Sequence, residues 1–390
     1  MSKNTLKLLA IALISFAVIF LSVASVPDGE FNKIQALLSV VKFDSEFRNS
    51  TPLSLYNFNK LNSAEKQAYI SIYNSINKHP EYIKIPDLTN EEFKNVYFAV
   101  KNDNPDVLCF PDSCDMVSFY NASFVHMEFK TTVDECNIMT DKLLAETDRI
   151  SALCTFTSEY DKELFFHDYL INNCTYNENA LFGSDAYGCI INREAYCSGY
   201  SRAMMLLLIN NGIECILVSG NAVSDNEIQS HMWNVVTING SNYHLDVTWD
   251  DHEQNDNIAA HMYFNVTTEQ LSLTHTDISV DIPCTADEYN YFRYEGLLYD
   301  VFDNQVCRNL GSKLSENISE GKYYIEFRVT DTDIYDNAFD MLFNRNASHS
   351  SFYLIIDSID PAVRNSIDSS HINTVTDRDQ KYIRLMFDKK

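Results

Sequence analysis

Glycine and proline are scarce in this chain, 10 and 8 among 390 residues, which excludes collagen-like, Pro-rich and Gly-rich low-complexity architectures. Tryptophan is scarcer still, at 2 residues. No basic run exceeds two residues, and Asp plus Glu outnumber Lys plus Arg 55 to 29, for a formal net charge of −26. A surface this negative repels phosphate backbones, so nucleic acid is not expected as a partner. No C-x-x-C pair and no calcium-loop pattern occurs, so neither a zinc ribbon nor a calcium site is indicated, and no metal or cofactor is expected. Beyond the first 26 residues nothing approaches the length of a membrane span, and no internal repeat is present.

What is there is enough for a sizeable core: 45% hydrophobic and 22% charged residues exclude global disorder, and the length suits two or three domains. Lys3 and Lys7 precede an apolar stretch from Leu8 to Leu21, followed by Ser22-Val23-Ala24-Ser25. A positive flank, an apolar centre and small residues before a cut after Ser25 predict a secretory signal peptide, with an uncleaved N-terminal anchor as the rival. The expected location is therefore secreted or cell-surface, touching a membrane only through residues 1–25 if they stay uncleaved. Ten cysteines fit an oxidising compartment, and Cys109 and Cys114, either side of Phe110-Pro-Asp-Ser113, are the best local bridge candidates.

Asn62-Ser-Ala-Glu65 and Thr89-Asn-Glu-Glu92 fit capping boxes, and Thr132 opens a third helix. Val107–Phe110 and Val117–His126 read as strands or extended loops. Residues 26–150 are thus expected to form a helical or α+β domain. Within residues 158–172, Tyr160, Leu164, Phe165, Tyr169 and Leu170 recur at helical spacing, and His167 there reads as a partly buried helix histidine rather than a ligand. A helix opening at Cys197 is apolar nearly all round and stops at Gly212. A strand at 213–221, a polar loop at 222–230, and strands 231–238 and 241–249 around Asn239-Gly240 follow. Beyond 284, a hairpin (291–294 and 297–302), strands at 323–329, 352–357 and 383–387 and a helix at 333–343 predict a small α+β domain, 284–390, without recognisable active-site chemistry.

A thiol attacks as thiolate, and a helix start favours that charge, which singles out Cys197. A base and an orienting carboxylate complete such a site. With a two-residue turn at 239–240, Ile238 faces Ser241 and His231 faces Thr248. Asp246 then shares a face with His231, diagonal to it and within reach. A Cys, a His and an Asp alone are a weak signal in a chain with 10 each of the first two.

An ordered set of short motifs is more specific: Phe166-His-Asp-Tyr-Leu170 and Tyr176, Ala186-Tyr-Gly188, Cys197-Ser-Gly-Tyr200, Gly212-Ile213, Ser219-Gly220, His231-Met-Trp-Asn234, Tyr243-His-Leu-Asp-Val-Thr-Trp-Asp-Asp251 and Met262-Tyr-Phe-Asn265. This set, over residues 158–275, resembles the transglutaminase-like superfamily of bacterial extracellular type. The resemblance implies a papain-like α+β core, with the nucleophile helix packed on an antiparallel sheet, for residues 151–283. It also implies Cys197 as nucleophile, His231 as general base then acid, and Asp246 as its orienter. Tyr196 and Met232 depart from the family's smaller residues at those places without removing a reactive group. Tyr187, Trp233 and Asn234 are candidate substrate-cleft or oxyanion residues, beside the N–H of Cys197 itself. Asp250, Asp251, Asp256 and His252 read as a solvated acidic turn, and a metal site built on Cys197 and His231 lacks a fourth ligand. The expected function is an exported thiol enzyme that acts on peptide or carboxamide bonds of a protein or peptide substrate through an acyl thioester. Hydrolysis is favoured over glutamine cross-linking. The competing reading from another class is a surface protein-binding module on an inactive fold of this kind.

Overall fold

Side-chain caps decide where the helices of the N-terminal region begin. The computed structural model describes residues 45–48, 50–111, 114–119, 122–224, 227–251, 259–344 and 351–390, so the expected signal or anchor at 1–25 lies outside the described residues. After a short helix α1 (Tyr56–Lys60), Asn62 Oδ1 accepts the N–H groups of Ala64 and Glu65 at 2.9 and 3.0 Å, and Glu65 returns a bond to Asn62 N at 2.7 Å, which opens α2 (Ser63–Tyr73). Thr89 and Glu92 do the same for α3 (Asn90–Asp103), and Thr132 and Glu135 for α4 (Val133–Leu153). Strands β1 (Tyr82–Ile85), β2 (Cys114–Phe119) and β3 (Ala122–Met127) form an antiparallel sheet in the order β1-β3-β2. Tyr69, Ile72, Val96, Val100 and Val125 make the core of this first unit, residues 1–140. Residues 107–110 are not a strand. Cys114 is unbridged, so the expected Cys109–Cys114 disulfide is not formed.

The second unit, residues 141–390, holds two four-stranded sheets. Its first half runs α5 (Glu159–Asn173), β4 (Thr175–Tyr176), a π-turn at Gly188–Asn192, β5 (Glu194–Ala195), α6 (Cys197–Asn210), β6 (Cys215–Ser224), β7 (Glu227–Ile238) and β8 (Ser241–Leu245). It continues through α7 (Val247–Asp250), α8 (Thr268–Leu271) and β9 (His275–Thr276). Strands β8-β7-β6-β9 make one antiparallel sheet. Asn234 on β7 donates to the Ser201 carbonyl of α6 at 3.0 Å, so α6 covers one face of that sheet. Val218, Trp233 and Val235 belong to a hydrophobic cluster with the rest of the unit.

That rest comprises α9 (Tyr291–Tyr294), β10 (Leu298–Tyr299), α10 (Asn304–Ser319), β11 (Tyr324–Val329), α11 (Thr332–Phe343), α12 (Ser351–Asp357), α13 (Pro361–Arg364), β12 (Ile367–Asp377) and β13 (Tyr382–Lys389), with the sheet order β10-β11-β13-β12. The architecture is α+β. The limit expected at 283/284 falls inside this unit, because Trp233 of one sheet and Phe327 and Leu385 of the other share that core. The limit expected at 150/151 falls within the uninterrupted helix α4.

Three local expectations are corrected. Residues 291–302 are not a hairpin: Tyr291–Tyr294 is helical, Gly296 (φ 69°) ends it in the left-handed region, and β10 pairs parallel with β11. Residues 352–357 are helix α12, not a strand. The backbone carbonyl of Ile355 would stand 2.3 Å from a Cβ at Gly311 of α10, and this glycine is what lets the two helices touch. The loop expected at 222–230 is narrower, since β6 and β7 continue to Ser224 and from Glu227.

Candidate active site

Unlike α2, α3, α4, α5, α10 and α11, helix α6 starts without a side-chain cap. Tyr196 occupies the capping position with extended backbone (φ −113°, ψ −177°) and makes no capping bond. The Gly199 N–H closes on the Tyr196 carbonyl at 2.8 Å, so the N–H groups of Cys197 and Ser198, with the positive end of the helix dipole, are the ones that no side-chain cap takes. Cys197, half-buried, is the first helical residue. Ser201 Oγ donates within reach of both the Cys197 carbonyl (2.8 Å) and the Met232 carbonyl (2.9 Å), which ties this turn to β7.

The position of the turn depends on Gly199. A Cβ there would lie 2.3 Å from the Gly183 carbonyl oxygen and 2.8 Å from the Ala195 Cβ, both on fixed backbone or a short side chain. Gly199→Ala is therefore expected to lower stability by about 3 kcal/mol through overpacking. The drop should appear as a lower urea midpoint, and an unchanged midpoint would show that the 183–195 segment yields freely.

His231 and Asp246 meet through the β7–β8 hairpin. Asn239 and Gly240 both have positive φ (48° and 83°), the two-residue turn that matches strand twist. Ile238 pairs with Ser241 and the ladder runs to Asn234–Leu245. The chain then leaves the sheet, so the strand expected to reach residue 249 stops at Leu245. Asp246 instead caps α7: its Oδ1 accepts Thr248 N at 3.1 Å and Trp249 N at 3.2 Å. Its Oδ2 lies 2.7 Å from His231 Nε2 and 3.1 Å from His275 Nε2. Asp246 is thus fully buried with both oxygens engaged. The Cys197 sulfur also acts on the His231 ring, whose Nε2 is taken by Asp246.

Burial alone would lower the pKa of His231. The charge and hydrogen bond of Asp246, then the hydrogen bond and charge of Cys197, overrule it and raise the value to about 10. Burial pushes the Asp246 carboxyl up, but the charge of His231 and the hydrogen bonds of both histidines win and hold it well below the usual carboxylate range. The site therefore carries a positive ring between a carboxylate and a sulfur at neutral pH.

The neighbours include His275, which the sequence did not single out. His275 is buried and shares Asp246 with His231; the Thr274 hydroxyl holds its other nitrogen at 2.9 Å. The Trp249 ring, half-buried, lies 6.0 Å from His231 and 4.7 Å from His275. Tyr176, 43% exposed, has its hydroxyl pKa raised to about 12 by burial and then by Cys197, Glu178 and Asp246, which places it at the mouth of the site.

Of the candidate cleft residues, Trp233 is stacked on His231 at 6.0 Å but fully buried, so it underlies the ring rather than walling an open cleft. Its Nε1–H donates to His244 Nδ1 at 3.1 Å. Burial lowers the pKa of His244 to about 4, so that ring stays neutral and can accept. Asn234 is buried against α6 and braces it instead of lining a cleft. Tyr187 is buried with its ring against Phe182. Gly220, paired with His231 across the sheet, leaves room for the Trp233 ring, which would meet a Cβ there at 2.7 Å. The acidic turn is corrected as well. Asp250 is buried and accepts Tyr263 N at 2.8 Å, Asp251 takes the Tyr200 hydroxyl at 2.5 Å, and residues 252–258 lie outside the described residues.

Residues 150–247 match the family model described as the transglutaminase-like superfamily. No curated protein matches the chain. Among solved structures, one described as a TGase is 15% identical, with a TM-score of 0.27 over 37% of this chain and 46% of that one. A candidate cysteine protease from Cytophaga hutchinsonii is 13% identical, with a TM-score of 0.24 over 35% of this chain and 62% of that one. A candidate protease from Parabacteroides distasonis is also 13% identical, with a TM-score of 0.21 over 34% of this chain and 35% of that one. The chain thus spans less than two thirds of the length of each.

Proposed function

We propose that the transglutaminase-like core matched at residues 150–247 works as a thiol acyl-transfer enzyme on peptide or carboxamide bonds, acting outside the cytoplasm with water as the acceptor. The observation that carries this reading is one ring, His231, held at 2.7 Å by a buried carboxylate and near enough to the sulfur at an uncapped helix start for that sulfur to raise its pKa.

A positive imidazole and a helix N-terminus are the surroundings in which a cysteine sulfur acts as thiolate. Cys197 attacks the substrate carbonyl, and the oxygen that becomes negative is received at the uncapped helix start by the N–H of Cys197. Collapse breaks the C–N bond while His231 gives its proton to the departing amine or ammonia, leaving an acyl thioester. Water then attacks with His231 taking its proton. The S–C bond breaks, the carboxylic acid leaves, and thiolate and imidazolium are restored. Asp246 keeps the ring in place through both halves. Hydrolysis is preferred to cross-linking because water needs no second binding surface, whereas a specific amine acceptor does. Export rests on the residue 1–25 pattern.

Cys197→Ala is expected to cut release of amine or ammonia from peptide and glutamine-containing substrates by at least about 10⁴-fold. Unchanged turnover would remove Cys197 from the reaction. Release that rises when a primary amine is added, with the amine incorporated into product, would replace water by an amine as acceptor.

A further inference from the structure

A second histidine–carboxylate cluster lies in the same unit. His167 on α5 and His261, just before Met262, are both buried, at 0% and 1% exposure. Each ring spends both nitrogens on carboxylates. His167 places Nε2 3.2 Å from Asp250 Oδ2 and Nδ1 3.0 Å from Asp168 Oδ1. His261 places Nδ1 2.5 Å from Glu326 Oε1 and Nε2 2.9 Å from the same Asp168 Oδ1. One nitrogen of each ring thus converges on Asp168, while a separate carboxylate fixes the other. The converging atoms of His167, Asp168 and His261 all lie within 4.8 Å of one another.

Metal-binding histidines are held in this way, with the inner nitrogen on the ion and the outer N–H on a carboxylate that sets the tautomer and ring angle. We propose that His167, Asp168 and His261 bind a divalent cation of the zinc class, with Asp250 and Glu326 as the outer carboxylates. Two imidazole nitrogens and one carboxylate suit zinc and are too poor in oxygen for calcium or magnesium. Zinc bonds of about 2.0–2.1 Å at tetrahedral angles set neighbouring ligand atoms about 3.3 Å apart, so the 2.9 and 3.0 Å separations here need to open by only a few tenths of an ångström.

The surroundings supply further fixed partners. The Tyr382 hydroxyl donates to Glu326 at 2.6 Å, and the Tyr291 ring stacks on His261 at 3.8 Å. Asp168, the one ligand side chain with appreciable exposure (22%), marks the way in and the side on which water completes the coordination. The other convergent trio, His231, Asp246 and His275, differs: its shared aspartate already accepts two backbone N–H groups.

The test uses the full chain, stripped with chelator and titrated with Zn²⁺ by calorimetry and with Co²⁺ by visible absorption. Expected are one ion per chain, a Co²⁺ spectrum without sulfur charge-transfer bands, and a Zn²⁺-dependent rise in melting temperature. Asp168→Ala, at the more exposed ligand, should lower affinity at least 100-fold and abolish the melting shift, and His261→Gln should do the same if it folds. His275→Gln should bind as the unaltered chain does. No ion bound would overturn the proposal, as would binding that survives Asp168→Ala, binding lost with His275→Gln, or a Co–sulfur spectrum pointing to the cysteines.

Discussion

On the proposed thiol mechanism, Asp246→Asn is expected to lower kcat/KM by about 10³–10⁴-fold while leaving the fold intact, the size of effect seen when the orienting carboxylate of a catalytic triad becomes an amide. The reason lies in how much one side chain does. Asp246 receives two backbone N–H groups on one oxygen and two imidazoles on the other, from full burial. An amide of the same shape keeps some of those bonds but carries no charge. Asp246 is also the largest influence raising the His231 pKa to about 10 against burial. Because that value lies above the ordinary imidazole value, the proton needed by the leaving amine is present below about pH 10 and lost above it. In the variant, burial is opposed by Cys197 alone, and the alkaline limb of kcat/KM moves down from about pH 10. A pH–rate profile reads both effects. A limb that stays near pH 10 would mean that another group supplies the proton.

Glu163→Gln acts on stability with the opposite pH sign from an ordinary salt-bridged acid. Glu163 is wholly buried on α5, and burial pushes its carboxyl up to about 8, with the Asn265 amide pulling down and Glu159 adding to the rise. Asn265 Nδ2 reaches Oε2 at 2.8 Å, and Oε1 has no hydrogen-bond partner. The folded chain therefore holds a proton that the unfolded chain gives up near about pH 4.3. Stability from this group is complete below that pH, falls as pH rises to about 8, and is flat above. Gln removes the ionisation. The gross gain at pH 8 has a ceiling of about 5 kcal/mol, less about 1–3 kcal/mol for the new N–H that needs a partner, and nothing is gained near pH 4. Denaturant unfolding at pH 4.5, 6 and 8 checks it. A difference that does not grow with pH would show that Glu163 is already ionised in the folded state.

The parts legible in the sequence were those written in local chemistry. Asn62, Thr89 and Thr132 announced their helices because a cap and its Glu partner stand three residues apart. Asn239-Gly240 announced the hairpin, and parity placed His231 and Asp246 on one face even though β8 ends before Asp246. What failed depended on distance. His275 joins Asp246 from 29 residues further on, behind a helix and a turn, and no spacing rule connects them. Asp250 reads as one of several surface acids, yet the α7 turn carries it inward to His167. Phe352–Asp357 is an apolar run that serves a strand or a buried helix equally well, and the contact with Gly311, some forty residues upstream, settles it.

Both indoles of the chain, Trp233 and Trp249, have their rings 6.0 Å from the His231 ring. A protonated imidazole quenches indole emission on contact, so this protein carries its own optical readout. Light emitted on tryptophan excitation originates within a cluster of rings that also includes His275, 4.7 Å from Trp249 and 5.1 Å from Trp233, so its intensity follows the state of the site as a whole, with no label attached and no turnover required.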